Sequence, residues 1–235
     1  MKKVFDWWLP DSDIHIAEKL EEQSPLNRGY DYQTQQRDYA LAFSLKYASR
    51  SKVALDIGAH VGLWAVDMAN HFKELICFEP IKESRECLIK NMADRNITNY
   101  RIHKCALGSD SGTVKLNTND DNSGNPFIDK NGNEEAQLKT LDMFGFAKID
   151  FMKIDVEGYE LEVLKGGEHT IKVCKPIIVL EAKDKHYERY GTNFRVIMKW
   201  LIDRNYKLEN LVNSEAIFVD KDIPTRKHFA SKDED

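Results

Sequence analysis

The sequence predicts an α/β domain in which a mostly parallel sheet carries helices on both faces. Three observations predict it. The apolar run 53–57 leads through Asp56 into the glycine turn Gly58-Ala59-His60-Val61-Gly62, and a helical stretch follows. A second apolar run, 75–78, ends in Glu79-Pro80, twenty-one residues after Gly58, which completes the strand-crossover-strand unit that binds nucleotides. Farther on, apolar and helical stretches keep alternating, and the run 176–181 is as apolar as an inner parallel strand requires.

Each element follows from its pattern. Residues 1–30 carry Trp7, Trp8, Pro10, Pro25 and Gly29 without a sustained period, which predicts short helices and turns. An amphipathic helix is predicted over 33–48, then the first strand, a helix over 63–72, the second strand, and a helix over 81–95. A third strand is expected at 100–106, a turn at 108–112, and a short exposed strand at 113–116. The segment 117–135 is dense in Asn, Asp and Gly and reads as a long loop, of the kind that tends to serve function. Strands return at 137–141 and 149–154, a helix at 160–174 breaks near Gly166-Gly167, and strand 176–181 follows. A helix over 193–205, strands at 206–211 and 216–219, and a charged, frayed end at 221–235 complete the chain. The expected organisation is a helical or lid segment over 1–50, one domain over 51–220, and the tail.

Composition narrows the function. With 42% hydrophobic and 31% charged residues, the 235-residue chain has the make-up of an ordinary globular protein long enough to bury a full core. No apolar run reaches the length of a membrane span, and Asp6 and Pro10 interrupt the N-terminal stretch too early for a signal-peptide core, so a cytoplasmic location is expected. Cys77, Cys87, Cys105 and Cys174 form no Cys-x-x-Cys pair and read as reduced, mostly buried thiols. A net charge of −5 with basic and acidic residues interleaved disfavours nucleic acid as a partner.

The turn itself selects a ligand. Gly58 and Gly62 let the main chain leave the strand sharply and let a ligand approach it closely. Glu79 is placed to accept hydrogen bonds from a ribose diol. The spacing Asp-x-Gly-x-x-x-Gly, however, sets Asp56 where a pyrophosphate binder carries its first glycine. A carboxylate there repels pyrophosphate and suits a cationic ligand, so S-adenosylmethionine fits better than NAD. The remaining strand ends supply Cys105-Ala106, then Asp155 with Glu157, then Glu181 with Lys183. Carboxylates gathered at one rim repel one another unless cations, hydroxyls or proton transfers use them.

These segments carry a resemblance. Residues 55–62, Phe78-Glu79-Pro80, Ala106-Leu107-Gly108, Lys139-Thr140-Leu141-Asp142 and the run 151–160 around Asp155 resemble, in order, the FkbM-type methyltransferases. The resemblance implies a Rossmann-like class I methyltransferase fold, a seven-stranded mostly parallel sheet with a reversed final strand. It also implies methylation with S-adenosyl-L-methionine as cofactor, typically of hydroxyl groups on sugars or secondary metabolites. Carried over, Asp56, Gly58, Ala59, His60 and Gly62 would hold the methionine end, Glu79 and Pro80 the ribose, and Cys105 with Ala106 the adenine. His60 stands where Asn is common in that family. Asp155 and Glu157 would face the sulfonium and the acceptor.

For the hydroxyl proton, Glu181 is the preferred base and Asp155 the second, with Lys183 and His186 as further candidates for which a solvated loop is the favoured explanation. Glu157 has an alternative as a helix cap near Glu160. Asn122 and Ser123, with Tyr159, are the candidate acceptor contacts, although an ordinary flexible turn accounts for the first two equally well. Tyr32 and Gln33 are candidates for a lid over adenosine. Asp155 and Glu181 could share a divalent ion, but no compact ligand motif assigns one. The expected partner is a glycan or small hydroxylated molecule. The rival readings are a nucleic-acid methyltransferase and a non-catalytic S-adenosylmethionine-binding subunit, with an NAD-dependent dehydrogenase disfavoured by Asp56.

Overall fold

A computed structural model describes residues 1–23, 34–44, 52–118 and 123–223. The chain opens with a hairpin, β1 (Lys2–Val4) and β2 (Trp7–Leu9), where short helices and turns were expected. Three-residue strands show too little alternation to be read. Asn91 holds this hairpin in place: its side chain accepts from the Trp8 N–H at 2.7 Å and donates to the Trp8 carbonyl at 3.0 Å. Helix α1 (His15–Gln23) starts where Asp13 Oδ1 accepts from the Ile16 N–H, and α2 (Thr34–Ser44) follows.

The main body then alternates β3 (Val53–Ile57), α3 (Leu63–His71), β4 (Glu74–Phe78), α4 (Lys82–Asp94) and β5 (Tyr100–His103). Next come β6 (Ala106–Leu107), β7 (Gly112–Asn117), β8 (Phe127–Ile128), β9 (Glu134–Lys139) and β10 (Phe151–Ile154). Helices α5 (Glu160–Gly166) and α6 (Glu168–Cys174) divide at the glycine pair as expected. They lead to β11 (Ile177–Glu181), α7 (Asp184–Tyr187), α8 (Phe194–Ile202), β12 (Tyr206–Val212) and β13 (Glu215–Asp220).

The large sheet has the order β12-β13-β11-β10-β3-β4-β5. Only β13 runs against its neighbours, so the final strand is the reversed one. A second sheet, β6-β9-β7-β8, corrects two expectations. The stretch 100–106 is not one strand, because the chain leaves the large sheet after His103 and Ala106–Leu107 pairs with β9 instead. The loop 117–135 is not wholly irregular either, since Phe127–Ile128 pairs with β7 and β9 already begins at Glu134. In both cases distant pairing partners supply the order that local composition lacks. Among the described residues no helix is long and apolar enough to cross a membrane.

Period-two alternation divides the core between the faces of the large sheet. Ala54, Leu75, Cys77, Phe151, Ile177, Val179 and Ile217 pack on one side with Trp64, Met68 and Leu88. Leu55, Ile57, Ile76, Met152, Ile154, Ile178 and Phe218 pack on the other with Leu164, Ile171 and Leu201. The same period puts Asp56, Lys153, Glu181 and Glu215 on the first face, toward the carboxyl ends of the parallel strands. The four cysteines are free and buried.

Candidate functional site

The crossover from β3 to α3 is built on backbone that only certain residues adopt. Gly58 has φ +84°, and a Cβ there would lie 1.8 Å from the Asp155 carbonyl oxygen, so β10 can pass only beside glycine. The Gly58 and Ala59 N–H groups donate to the Phe78 carbonyl at 2.9 and 3.1 Å. Glu79 ties this turn to the next one: its Oε2 accepts from the His60 N–H and its Oε1 from the Ile81 N–H, both at 2.8 Å. Each oxygen keeps a lone pair for a ligand. Burial pushes the Glu79 carboxyl up to about 7 despite these bonds.

Two cavities meet at this turn. The apolar one is bordered by Gly58, His60, Phe78, Glu79 and Pro80 on the strand side, by Cys105, Ala106 and Leu107, and by Leu116, Pro126 and Ile128 of the small sheet. Tyr159 borders this cavity, not the polar one, and packs edge-on against Tyr190. The polar cavity is bordered by Asp56, Ala59, Trp64, Lys153, Glu181, Lys183 and His186, with His15 and Ile16 of α1 beside them. Gly58, His60, Gly124, Asp155 and Glu157 border both, and so form the seam. Gly62 borders neither. At φ +93° it turns the chain into α3 against Leu88.

The strand register sets the electrostatics of the polar cavity. Lys153, 1% exposed, lies opposite Asp56 across β10 and β3, and its Nζ is 2.9 Å from Asp155 and 3.5 Å from Glu215. It also sits 4.9 Å from the centre of the Trp64 ring. Burial opposes its charge, but Asp155 and Glu215 outweigh burial and raise its pKa. For Glu215 burial wins and lifts the carboxyl to about 7. The shorter contact decides between the two partners, making Asp155 the principal counter-ion of Lys153. Asp56 is 1% exposed, is pushed up to about 7 by burial, and its Oδ2 has no hydrogen-bond partner among the described residues. An orphaned carboxylate oxygen bordering a cavity calls for a cationic or donor ligand.

Next to it, three elements bring Glu157, Glu181 and His186 together. His186 Nδ1 lies 2.8 Å from Glu157 Oε2 and 3.4 Å from Glu181 Oε2, while Lys183 Nζ is 2.5 Å from Glu181 Oε1. Contact with Glu157 and then Glu181 raises His186 to about 9. Burial raises Glu157. Burial also opposes ionisation of Glu181, but His186 and Lys183 prevail and hold it below its ordinary range. Glu157 is not a helix cap. No side chain caps α5; Glu160, its first residue, instead accepts from the Val156 and Gly158 N–H groups of the preceding turn at 3.1 and 3.3 Å, and Glu157 at φ +56° borders the cavity. In the orientation that satisfies its hydrogen bonds, the Asn125 amide donates to Glu157 Oε2 at 2.9 Å. His186 is therefore part of the cluster, while Lys183, 47% exposed, reaches it from the solvent side through Glu181. Asp155, which with Glu181 offered a pair of carboxylates for an ion, is engaged by Lys153 instead.

A third group closes the mouth. His60 Nε2 donates to Ser123 Oγ at 2.7 Å, and Ser123 donates to Asp13 Oδ2. Desolvation holds His60 down at about 4, so the ring is neutral. Ser123 is thus a tie between α1, the 117–135 segment and the crossover turn. Asn122, Tyr32 and Gln33 lie outside the described residues.

A protein-family model described as the Methyltransferase FkbM domain matches residues 56–208. The chain belongs to the FkbM methyltransferase family. Two curated relatives are Methyltransferase sdnD of Sordaria araneosa, 28% identical over 53% of this chain, and Methyltransferase 1 of Beauveria bassiana, 22% identical over 54%. The aligned part spans 64% and 63% of those proteins, somewhat less than two thirds of each. Among solved structures, the FkbM methyltransferase from Methylobacillus flagellatus superposes with a TM-score of 0.53 at 17% identity, covering 72% of this chain and 44% of that one. Magnesium protoporphyrin IX methyltransferase from Synechocystis, solved with bound S-adenosylmethionine, gives 0.53 at 11% identity, covering 87% and 82%. At such identities the two structures establish a shared class I methyltransferase fold.

Within this FkbM chain, sequence reading passed over Lys153, Glu215 and Asp13. Lys153 had a signal: it is the one charged residue in the buried run Phe151-Met152-Lys153-Ile154. Asp13 had none, because its partner Ser123 is 110 residues away.

Proposed function

We propose that the chain is an S-adenosylmethionine-dependent methyltransferase acting on a hydroxyl of a sugar, glycan or small metabolite. The observation that carries this reading is the seam between an apolar cavity and an acidic one, with the unpartnered Asp56 oxygen on the acidic side. The residues fit the cofactor. Glu79 offers acceptors to the ribose, Cys105 and Ala106 flank the adenine side, and Asp56 answers the methionine ammonium. When bound, the cofactor supplies a methyl group on sulfonium, already activated for in-line displacement.

The chain's residues then align and deprotonate. The acceptor hydroxyl would lie at the seam, where Asp155 would take its proton as the oxygen accepts the methyl group. That residue borders both cavities, is fixed by Lys153 through Oδ2, and is open enough to hand the proton on to solvent. Glu181 suits this role less than sequence reading supposed, because Lys183 occupies Oε1 and His186 faces Oε2.

Incubation with labelled S-adenosylmethionine and a panel of glycans and hydroxylated metabolites should transfer label to at least one acceptor. Asp155→Asn should lower kcat by about 10²-fold or more, with S-adenosylhomocysteine still binding. Transfer to RNA or DNA alone, or full turnover by Asp155→Asn, would overturn the reading.

The carboxyl pKa values give a pH dependence. With Asp56 and Glu79 each titrating at about 7, acid neutralises the groups that face the cofactor. S-adenosylhomocysteine should therefore bind about tenfold more weakly at pH 6 than at pH 8 by calorimetry. A folded carboxyl pKa raised from 3.8 to about 7 stabilises the empty protein at low pH, and that contribution is lost as pH rises through this window. The melting-temperature gain on adding ligand should accordingly be larger at pH 8. Affinity independent of pH would remove Asp56 and Glu79 from the contact.

A further inference from the structure

We propose that Glu157, Glu181 and His186 form a site for one divalent transition-metal ion, placed to polarise the acceptor hydroxyl. The second half of this statement rests on the proposed function, whereas the site itself does not. Three donor atoms from three separate elements, the turn after β10, the end of β11 and α7, lie within 4.8 Å of one another at the polar cavity. Both carboxylates are more than nine-tenths buried.

The spacing matches a coordination shell. Donors about 2.1 Å from an ion stand roughly 3.0 Å apart in an octahedral and roughly 3.4 Å apart in a tetrahedral arrangement. The His186 Nδ1 contacts here are 2.8 and 3.4 Å. Despite those distances Nδ1 forms no aligned hydrogen bond among the described residues.

Charge is the independent argument. Asp56, Asp155, Glu157, Glu181 and Glu215 face Lys153, Lys183 and His186; once His186 gives up its proton to act as a ligand, five ionised carboxylates against two lysines leave an excess of three negative charges. Asp56 Oδ2 is left unpartnered in the same cavity. A sulfonium amino acid brings a net charge of plus one, and a divalent ion closes the difference.

The donor set selects the metal. One imidazole and two carboxylates suit Mn²⁺, Fe²⁺ or Zn²⁺ better than Ca²⁺, which takes oxygen donors only. Lys183 on Glu181 Oε1 leaves Oε2 on the His186 side, and rotation of the Asn125 amide beside Glu157 would offer its Oδ1 as a fourth ligand. Coordination of the acceptor oxygen would make its proton easier for Asp155 to take.

The test strips the full chain with EDTA, then titrates it with MnCl₂ and separately with ZnCl₂ by calorimetry, following the Mn²⁺ complex by electron paramagnetic resonance. One equivalent per chain is expected. His186→Ala and Glu157→Gln should each weaken Kd by about tenfold or more, with cooperative melting retained. His186→Asn replaces His186→Ala if the latter loses its transition. No binding by the wild type, or binding that these variants leave unchanged, overturns the site. S-adenosylhomocysteine is titrated in parallel. Its binding without metal binding overturns the metal site alone, and metal binding without it supports the site while removing the proposed function.

Discussion

Lys153→Met is expected to lower the melting temperature by roughly 6–20 °C. The ammonium is 1% exposed and answers Asp155 and Glu215 at 2.9 and 3.5 Å, with Asp56 opposite it in the sheet. Removing one partner of a buried ion group leaves its carboxylates without compensation, which costs about 3–5 kcal/mol. In a domain of this size each kcal/mol moves the transition by about 2–4 °C. Methionine has nearly the volume of lysine, so packing against Trp64 survives and the effect isolates charge. Adding Glu215→Gln should restore more than half of the loss, since it removes one uncompensated carboxylate. Differential scanning calorimetry reads both variants, and an unchanged transition in Lys153→Met would mean that the lysine does not hold the cluster together.

Gly58→Ala should weaken S-adenosylhomocysteine binding by about tenfold or more and destabilise the protein as well. The added Cβ meets the Asp155 carbonyl oxygen at 1.8 Å, a backbone atom that cannot swing aside. The φ of +84° costs a further 1–2 kcal/mol or so for an L residue. Relief requires β10 and β3 to separate at their carboxyl ends, which displaces Asp155 and widens the seam between the cavities. Gly62→Ala is the comparison. Its backbone is equally strained at φ +93°, but it borders neither cavity, so stability should fall while affinity is largely spared. Calorimetry on both proteins separates a ligand effect from a folding effect, and normal affinity in Gly58→Ala would contradict the placement of the ligand at this turn.

The parts of the site that sequence could reveal are those written within one strand and its turn. Asp56, Gly58 and Glu79 are close in the chain and follow period-two and turn chemistry, so their meeting was legible. So was the row of strand-end residues, because parallel strands deliver their carboxyl ends to one edge. What each of those residues does there depends on cross-strand register. Lys153 captures Asp155, and Glu160 bonds the turn that precedes its helix. Glu157 is thereby freed to meet His186 and Glu181, a contact between segments that no local pattern encodes. The Asp13–Ser123–His60 tie and the pairing of Phe127–Ile128 with β7 are likewise products of long-range approach. Apart from His60, their residues sit in stretches whose composition says only that they are loops.

All of these assignments depend on where a positively charged nucleoside sits. A crystal structure of the chain with S-adenosylhomocysteine tests that placement most directly. The ribose hydroxyls should lie within hydrogen-bond reach of Glu79, the adenine beside Ala106, and the amino group toward Asp56. Ligand density elsewhere on the molecule, or a ribose turned away from Glu79 with Asp56 still unpartnered, would contradict it.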